Sequence, residues 1–429
     1  MSIIFAIIIF SLLILIHEFG HFLIAKKNGV CVTEFSLGMG PRILKKQVGE
    51  TLYSWKLFPF GGSCMMLGED EEGTEDDPRS FQSKSVWARI AVVAAGPVFN
   101  FLLAIVLSVV VIGCVGIDKP TVLSVTEGMP AYEAGLREGD VVTSYDGSGV
   151  SIGREIYLQE VVNPMSDETI IITYKRDGVK YTAEVTPELV QKYMLGMTYS
   201  TADDASVTVS EGGALEAAGL QDGDVITAIN GTAIADGLAM SEYLAENPIG
   251  AETMSVTYLR DGEETTVEVT PVLTESYSIG WSYNLYREKV GPLATIGYSF
   301  LEFKYDVKSV FKSLGMLFTG KLTANDVSGP VGIVDMIGDT YEETKSDGWY
   351  YVLLTMANLT VLLSANLGVM NLLPIPALDG GRLVFLIIEA VVGKPVPRDK
   401  EAIVHMIGMI LLLILMVLIM FNDIWKLFS

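Results

Sequence analysis

The chain has 429 residues, half of them hydrophobic, and a mean hydropathy of +0.41, which favours a membrane protein over a soluble one. Its formal net charge of −23 argues against nucleic acid as a partner, because phosphate contacts need a basic surface. The three cysteines have no CxxC spacing and indicate neither a disulfide framework nor a cysteine zinc site.

Four apolar stretches have about the 20 residues that a membrane-spanning helix requires. They are residues 2–25, 86–117, 350–373 and 402–421. The first stretch lacks the basic start and the cleavage site of a signal peptide, so we expect it to be retained. Basic residues are concentrated between the first and second stretches and between the third and fourth, which predicts that both loops are cytoplasmic. The central block and both termini are then expected outside.

The first stretch contains the motif IHEFGH at residues 16–21. His17 and His21 are four residues apart, so they share one face of a helix, where two neutral imidazoles can ligate zinc. Glu18 is placed to act as a general base. A chance motif, or histidines that only hydrogen-bond between helices, would be the structural alternatives. Ionisable groups inside a span are functional by default, which favours the metal site.

Two further segments follow the first stretch. TLYSWKLFPFGG (51–62) alternates like a strand and ends at Gly61 and Gly62; from its residues alone it could be an ordinary amphipathic hairpin. GPVFNF (96–101) begins the second stretch, where Gly96 would permit close helix packing. We expect Asn100 to satisfy a backbone group.

Residues 118–347 hold 15 basic and 37 acidic residues, so they carry nearly all of the net charge. This block repeats itself: GLREGD (135–140) recurs as GLQDGD (219–224), and YKRDG (174–178) recurs as YLRDG (258–262). Both pairs have the same offset of 84 residues. A period this long predicts two tandem domains rather than a solenoid.

The extended motifs GLREGDVVTSYDG (135–147) and GLQDGDVITAING (219–231) resemble the PDZ domain, in the circularly permuted order of bacterial proteases. The resemblance implies that a peptide adds as a strand to a sheet edge while the amides of a short loop hold a terminal carboxylate. The loops that match are formed by Leu195, Gly196 and Met197 and by Ile279, Gly280 and Trp281. Alternatively, these glycines only form turns and the domains act as spacers.

Residues 293–318 place apolar side chains at helical spacing, with Lys304, Lys308 and Lys312 at intervals of four. This pattern predicts an amphipathic helix in the membrane interface plane, although a plain linker would also fit.

The segment NLLPIPALDGGR (371–382) follows the third stretch, and its two prolines break the helix. Irregular backbone at membrane depth is tolerated only where it is buried in protein or lines a wet cavity. Catalytic zinc usually has three protein ligands, and Asp379 is the candidate for the third. Taken alone, this segment could be an ordinary turn that closes a helix. The only other histidine, His405, lies in the fourth stretch.

Together, HEFGH and NLLPIPALDGG resemble the site-2 protease family of intramembrane zinc metalloproteases, in its bacterial sigma-factor-regulating branch with tandem PDZ domains. The resemblance implies an α-helical polytopic membrane protein with about four transmembrane helices, a re-entrant β-hairpin and two inserted α+β PDZ domains. It implies zinc (Zn2+) held by His17, His21 and Asp379, with Glu18 as the base. It further implies that Asn371 and the hairpin ending at Gly61 and Gly62 bind the unwound substrate, and that His405 is a packing residue.

The predicted division of the chain is a membrane core in two halves, 1–117 and 346–429, two PDZ domains, 118–200 and 201–285, and an interfacial region, 286–345. The resemblance implies a multi-pass protein of the bacterial cell (inner) membrane with an active site that opens toward the cytoplasm. Its expected partners are the lipid bilayer, single-pass transmembrane substrates such as anti-sigma factors or signal-peptide remnants, and an upstream site-1-type protease that cuts first.

Two other functions stay open at this point. A membrane-anchored quality-control zinc protease of another clan would need a third ligand other than Asp379. A non-enzymatic PDZ receptor with a dead protease core predicts damage to HExxH or LDG, and both motifs are intact.

Overall fold

The computed structural model describes residues 1–69, 77–199, 204–323 and 326–426. The chain forms two compact units. Unit 1 contains residues 1–120, 151–158 and 285–429, and unit 2 contains residues 121–150 and 159–284.

Four of the described helices in unit 1 are long and apolar enough to cross a membrane, as predicted. They are α1 (Ser2–Lys27), α2 (Val86–Val115), α9 (Trp349–Leu372) and α11 (Arg398–Lys426). α1 and α2 approach closely at Gly20: a Cβ atom on this residue would lie only 2.4 Å from the carbonyl oxygen of Ala95. The small residues on these helices therefore allow the backbones to pack together.

A β-hairpin follows α1, with strands β1 (Val32–Val48) and β2 (Thr51–Met66). The two long strands bend, so that they form four paired segments: 32–37, 42–48, 51–56 and 62–66. Residues 34–37 pair with 52–55 on one side and with 62–65 on the other. Segment 62–66 therefore lies at an edge of this sheet. A strand over 51–62 is confirmed, and it extends to Met66.

The described residues of unit 1 also form α7 (Pro292–Phe318), α8 (Pro330–Thr344) and α10 (Asp379–Val392). α7 packs on the spanning helices, since its Phe303 joins Ala104, Val361 and Ala365 in one apolar cluster. The same helix carries Glu302, which is buried and forms an ion pair with Arg154 at 2.5 Å.

A loop separates Asp379 from the third spanning helix, and the helix that Asp379 begins, α10, was not predicted from the sequence. α9 ends at Leu372, residues 373–378 form an irregular loop, and Asp379 begins α10. The prolines at 374 and 376 explain the break, because proline removes a backbone donor and restricts the residue before it.

Unit 2 contains two four-stranded sheets that correspond to the two sequence repeats. The first has the order β5-β4-β6-β7, with β4 (Val141–Tyr145), β5 (Ser148–Gly149), β6 (Ile170–Arg176) and β7 (Val179–Val185). The second has the order β12-β11-β13-β14, with β11 (Val225–Ile229), β12 (Thr232–Ala233), β13 (Met254–Arg260) and β14 (Glu263–Val269). Four short helices accompany them: α3 (Pro130–Glu133), α4 (Arg154–Val162, of which residues 159–162 belong to this unit), α5 (Ala214–Ala217) and α6 (Gly237–Glu246).

An ion pair explains why the two motifs of each repeat recur together. Nε of Arg176 donates to Asp140 at 2.7 Å, and in the second copy Nε of Arg260 donates to Asp224 at 2.7 Å. Each pair joins the aspartate of the GD motif to the arginine of the RDG turn.

The remaining strands connect the copies in an order that the repeat did not predict. They are β3 (Val122–Val125), β8 (Glu188–Met194), β9 (Met197–Tyr199), β10 (Val207–Val209), β15 (Val272–Ser278) and β16 (Trp281–Tyr283). β8 pairs with β15, β9 pairs with β10 of the second copy, and β16 pairs with β3 of the first.

β8 thus leads from the first copy into the second. β15 follows the second copy and runs antiparallel to β8, and β16 then pairs with β3 of the first copy. The loop at Gly196 lies with the second copy and the loop at Gly280 with the first. This differs from the order within the predicted domains 118–200 and 201–285, which gave each loop to its own copy. A repeat period fixes the length of the repeated unit but not the residue at which a permuted domain begins.

Candidate active site

The three predicted metal ligands converge in unit 1. Nε2 of His17 lies 3.2 Å from Oδ2 of Asp379, and Nε2 of His21 lies 3.4 Å from the same oxygen. The two histidine Nε2 atoms are 3.3 Å apart. Donors on a tetrahedral zinc ion with bonds of about 2.0–2.1 Å lie roughly 3.3 Å from one another. The three atoms therefore fit three corners of a zinc tetrahedron and leave the fourth open.

Residues of helix α2 contact the Nδ1 atoms of both imidazoles. Nδ1 of His21 donates to the carbonyl oxygen of Val92 at 2.9 Å, and the side-chain amide of Asn100 lies 3.2 Å from Nδ1 of His17. An Nδ1–H that donates to a fixed acceptor orients the ring and leaves Nε2 for a metal, as the bond to Val92 does for His21. For His17 the same arrangement requires the side-chain oxygen of Asn100, which is buried and has no hydrogen-bond partner among the described residues, to face Nδ1 and accept from it. Asn100 was predicted to satisfy a backbone group, but its side chain contacts His17. A signal in the sequence was its position one helical turn after Gly96.

Gly96 makes room for the histidines. A Cβ atom at this position would lie 2.3 Å from Nε2 of His21 and 2.7 Å from Cε1 of His17. No side chain can occupy that space without moving the rings.

The glycines after Asp379 allow its loop to fold onto α10. A Cβ on Gly380 would lie 2.1 Å from the carbonyl oxygen of Leu373, and one on Gly381 would lie 2.5 Å from that of Ile375. The DGG sequence therefore packs the irregular loop against the first turn of α10 and fixes where Asp379 begins.

Glu18 lies on the same helical turn as the histidines and lines a cavity of about 310 Å³ with them. The opposite wall is the edge segment of the hairpin, from Gly62 to Met66. A Cβ on Gly62 would lie 3.1 Å from Cγ of Glu18, so strand and helix touch at this point.

Two charged residues at the cavity were not identified from the sequence. Arg382 of α10 forms an ion pair with Glu69, and both line the cavity of the site. They also line a neighbouring cavity of about 810 Å³, together with Arg89 and Glu389, which form a second ion pair. These pairs join distant parts of the sequence, and no local motif marks them.

The other predicted residues lie outside this cluster. Gly61 has a positive φ of 86° and packs on Met39. Asn371 is half-buried in the last turn of α9 and is not among the described residues that line the 310 Å³ cavity. His405, expected to be a packing residue, accepts a hydrogen bond from the backbone N–H of Ala377 at 2.9 Å.

The two loops of unit 2 use their glycines for packing. Gly196 and Gly280 both have positive φ, of 75° and 73°. A Cβ on Gly280 would lie 2.2 Å from Cβ of Met129, and one on Gly196 would lie 2.6 Å from Cα of Gly213. The loop carbonyls bond to neighbouring amides, since Leu195 accepts from Leu215 and Ile279 accepts from Ala131, each at 2.9 Å. Met197 and Trp281 begin the strands that follow.

The model of peptidase family M50 matches residues 5–415 of the chain. The chain belongs to peptidase family M50. Among curated relatives, the zinc metalloprotease RasP of Geobacillus kaustophilus is 33% identical over 100% of this chain and 98% of its own. The regulator of sigma-W protease RasP of Bacillus subtilis is 30% identical over 98% of both chains.

A third relative, the zinc metalloprotease RasP of Bacillus licheniformis, is 31% identical over 98% of both chains. Among solved structures, the PDZ domain of an SdrC-like protein from Listeria monocytogenes matches 22% of this chain and 90% of its own, with 20% identity and a TM-score of 0.15. A match at this score assigns no fold.

Membership of the M50 family makes the chain an intramembrane zinc metalloendopeptidase of the site-2 type, in the bacterial sigma-factor-regulating branch. The cofactor is zinc, as predicted.

Proposed function

We propose that this M50 peptidase cuts single-pass membrane proteins within or near their membrane segment, with His17, His21 and Asp379 as zinc ligands and Glu18 as the general base. The observation that carries the proposal is the triangle of donor atoms, 3.2–3.4 Å on each side, in a cavity that Glu18 also lines. α1 and α10 supply these side chains, and α2 orients the two rings.

Bound zinc would act as a Lewis acid toward the scissile carbonyl and would lower the pKa of a water molecule to near 7. The Glu18 carboxylate accepts a proton from the attacking water as the new C–O bond forms. Glu18 then returns that proton to the leaving nitrogen as the C–N bond breaks, so the base ends the cycle ionised. Asp379 contributes a negative charge, which favours binding of a divalent cation. Val92 and Asn100 contact the Nδ1 atoms of His21 and His17 and keep the two rings oriented.

The edge segment 62–66 is the docking strand in this proposal. A helical substrate must unwind before its carbonyl is accessible, and its freed backbone groups then need partners. Within the described residues, segment 62–66 has a pairing strand on one side only, and its residues line the cavity of the site. A substrate strand can add to the free edge. Gly61 permits the bend before this strand, and Asn371 would bind freed backbone from the other side.

For unit 2, we propose two circularly permuted PDZ domains, with the second nested in the first through the ribbon of β8 and β15. In the first copy, Glu160 of α4 accepts a hydrogen bond from the Tyr283 hydroxyl at 2.6 Å. The Trp281 ring stacks on the Tyr145 ring with a centroid distance of 5.9 Å. An acidic side chain beside the loop at Gly280 disfavours a terminal carboxylate. This supports a role in excluding bulky ectodomains over capture of a new C-terminus.

The proposed setting is the bacterial cell membrane, with the PDZ pair and both termini outside and the active site open to the cytoplasm. An upstream site-1-type protease would first remove the ectodomain of the substrate. Anti-sigma factors are the favoured substrate class, because the relative from Bacillus subtilis is named as a regulator of sigma-W protease.

The test is to map the bond that is cut in a tagged single-spanning substrate whose ectodomain has been removed. We expect a cut inside or next to the apolar segment by the wild-type protein and no such product with Glu18→Gln. A cut only in the cytoplasmic part of the substrate would favour a quality-control protease instead. Binding of the substrate without any cut would favour the receptor function.

A further inference from the structure

α11 is the most exposed of the four candidate spans. Only 6% of its 18-residue apolar stretch is buried, whereas 28–56% of the corresponding stretch is buried in the other three helices. It supplies none of the proposed metal ligands. Some of its described residues nevertheless contact other elements, among them His405 and Gly408 near the start of the helix and Asp423 near its end. A polar side chain inside a spanning helix usually has a function, which makes His405 the residue to explain.

His405 and Gly408 hold the loop that precedes Asp379. The backbone N–H of Ala377 donates to Nδ1 of His405 at 2.9 Å. One turn along α11, a Cβ on Gly408 would lie 2.4 Å from Cβ of Pro376. The helix therefore contacts two consecutive loop residues, through a hydrogen bond and through a close approach that only glycine permits.

The residue bonded by His405 has an unusual backbone conformation. Ala377 has a φ of +78°, in the left-handed region that residues with a side chain rarely adopt. Such a conformation persists when the surrounding structure imposes it. Ala377 lies two residues before Asp379, so the backbone at Ala377 determines where the chain enters α10.

The bond from Ala377 makes Nδ1 the acceptor, so the ring carries its hydrogen on Nε2. Nε2 of His405 lies 3.9 Å from a carboxylate oxygen of Glu401, one turn earlier on α11. Phe385 of α10 packs on the ring, with a centroid distance of 5.5 Å. A hydrogen on Nε2, facing the carboxylate, leaves the Nδ1 lone pair for the amide of Ala377.

We infer that His405 is a positioning residue for the metal centre: by accepting the N–H of Ala377 it fixes the 373–378 loop and thereby places the Asp379 carboxylate beside His17 and His21. The inference rests on the proposed role of Asp379 as a ligand. It assigns to the fourth span a part in building a site whose ligands all come from other elements. Residues that orient metal ligands typically contribute about 10–100-fold to metal affinity.

The experiment measures zinc affinity of the full-length protein in detergent by competition with a chelator, together with kcat and KM for a single-spanning substrate. His405→Leu removes the acceptor and should weaken zinc binding by about 10–100-fold. His405→Asn retains a side-chain acceptor and should recover most of the affinity. Met406→Leu, at a neighbouring position with 51% exposure, is the matched control and should bind zinc like the wild type.

Zinc affinity of His405→Leu equal to that of the wild type would overturn the inference. Equal losses in His405→Leu and His405→Asn would also overturn it, because the ring's shape rather than its hydrogen bond would then matter. Asp379→Asn is measured in parallel. If Asp379→Asn binds zinc normally, the proposed ligand set fails; if it loses zinc while His405→Leu does not, only the role of His405 fails.

Discussion

Gly62 of β2 lies against Glu18 of α1, so closely that a Cβ on the glycine would be 3.1 Å from Cγ of the glutamate. The same Cβ would lie 3.0 Å from Cγ2 of Ile14 and 3.1 Å from the carbonyl oxygen of Ser36. The strand proposed to dock the substrate and the helix that carries the proposed base therefore meet without a side chain between them. The distance between the docked backbone and the carboxylate depends on this contact.

We predict that Gly62→Val lowers kcat by about 100-fold, since a displacement of about 1 Å at a reacting group can have this effect. Zinc content should be unchanged, because no metal ligand is touched. The measurement is cleavage rate and bound zinc in the same preparation. Gly149→Val is the control, as a Cβ at this strand position meets nothing within 4 Å. Wild-type cleavage by Gly62→Val would contradict the proposed contact.

Gly96→Ala should abolish zinc binding while Gly113→Ala, in the same helix, should not. The alanine Cβ at 96 would lie 2.3 Å from Nε2 of His21, whereas at 113 its nearest neighbour is Cγ2 of Thr295 at 3.9 Å. Zinc per protein, measured by atomic emission on both purified variants, distinguishes them. If Gly96→Ala retained a full complement of zinc, the metal could not lie where the two histidines converge.

Asn100→Leu should weaken zinc binding by about 10–100-fold, because His17 loses the partner that orients its ring. The measurement is competition with a chelator. Ser108→Ala, at another buried polar position of α2, serves as the control and should leave the affinity close to that of the wild type. Equal affinities for Asn100→Leu and the control would show that Asn100 does not hold the ring.

The nested order of unit 2 makes a prediction about deletions. Glu188 and Ser278 are paired across the ribbon, so residues 189–277 can be replaced by an Asn-Gly turn with β16 retained. This variant should keep the first sheet resistant to trypsin. Deletion of residues 201–285, the boundary that the repeat predicts, removes β16 and should expose the first sheet to digestion. Equal resistance of both variants would contradict the nested order.

The same variant tests the proposed size filter. If the PDZ pair excludes bulky ectodomains, the chain without residues 189–277 should cut an untrimmed substrate that the full-length protein refuses. Both should cut the trimmed substrate. Continued refusal of the untrimmed substrate by the shortened chain would argue against the filter. Substitutions at Gly196 or Gly280 are a poorer test, because a side chain there would clash with the loop's own packing.

The parts of the site that could be predicted from the sequence depend on local geometry. His17 and His21 share a helix face through their spacing alone, and the repeat located both sheets of unit 2. The role of Asn100 was missed because an asparagine in a helix has many partners, and only the packing of α2 on α1 chooses His17. His405 was missed for a similar reason: nothing near it in the sequence shows that α11 contacts the loop at Ala377.

The exchange of the loops at Gly196 and Gly280 could not be predicted from the repeat. The loop at Gly196 follows a strand of the first copy and precedes the motif of the second, and the loop at Gly280 follows a strand of the second copy. An offset of 84 residues is therefore consistent with both assignments. The choice depends on long-range pairing of β9 with β10 and of β16 with β3.

The most direct test of the proposed zinc site and base measures bound zinc and substrate cleavage side by side for the wild type, Glu18→Gln and Asp379→Ala. We expect Glu18→Gln to keep its zinc but to make no fragment, and Asp379→Ala to lose both. A fragment produced by Glu18→Gln at the wild-type rate, or full zinc binding by an inactive Asp379→Ala, would contradict the assignment of base and ligand.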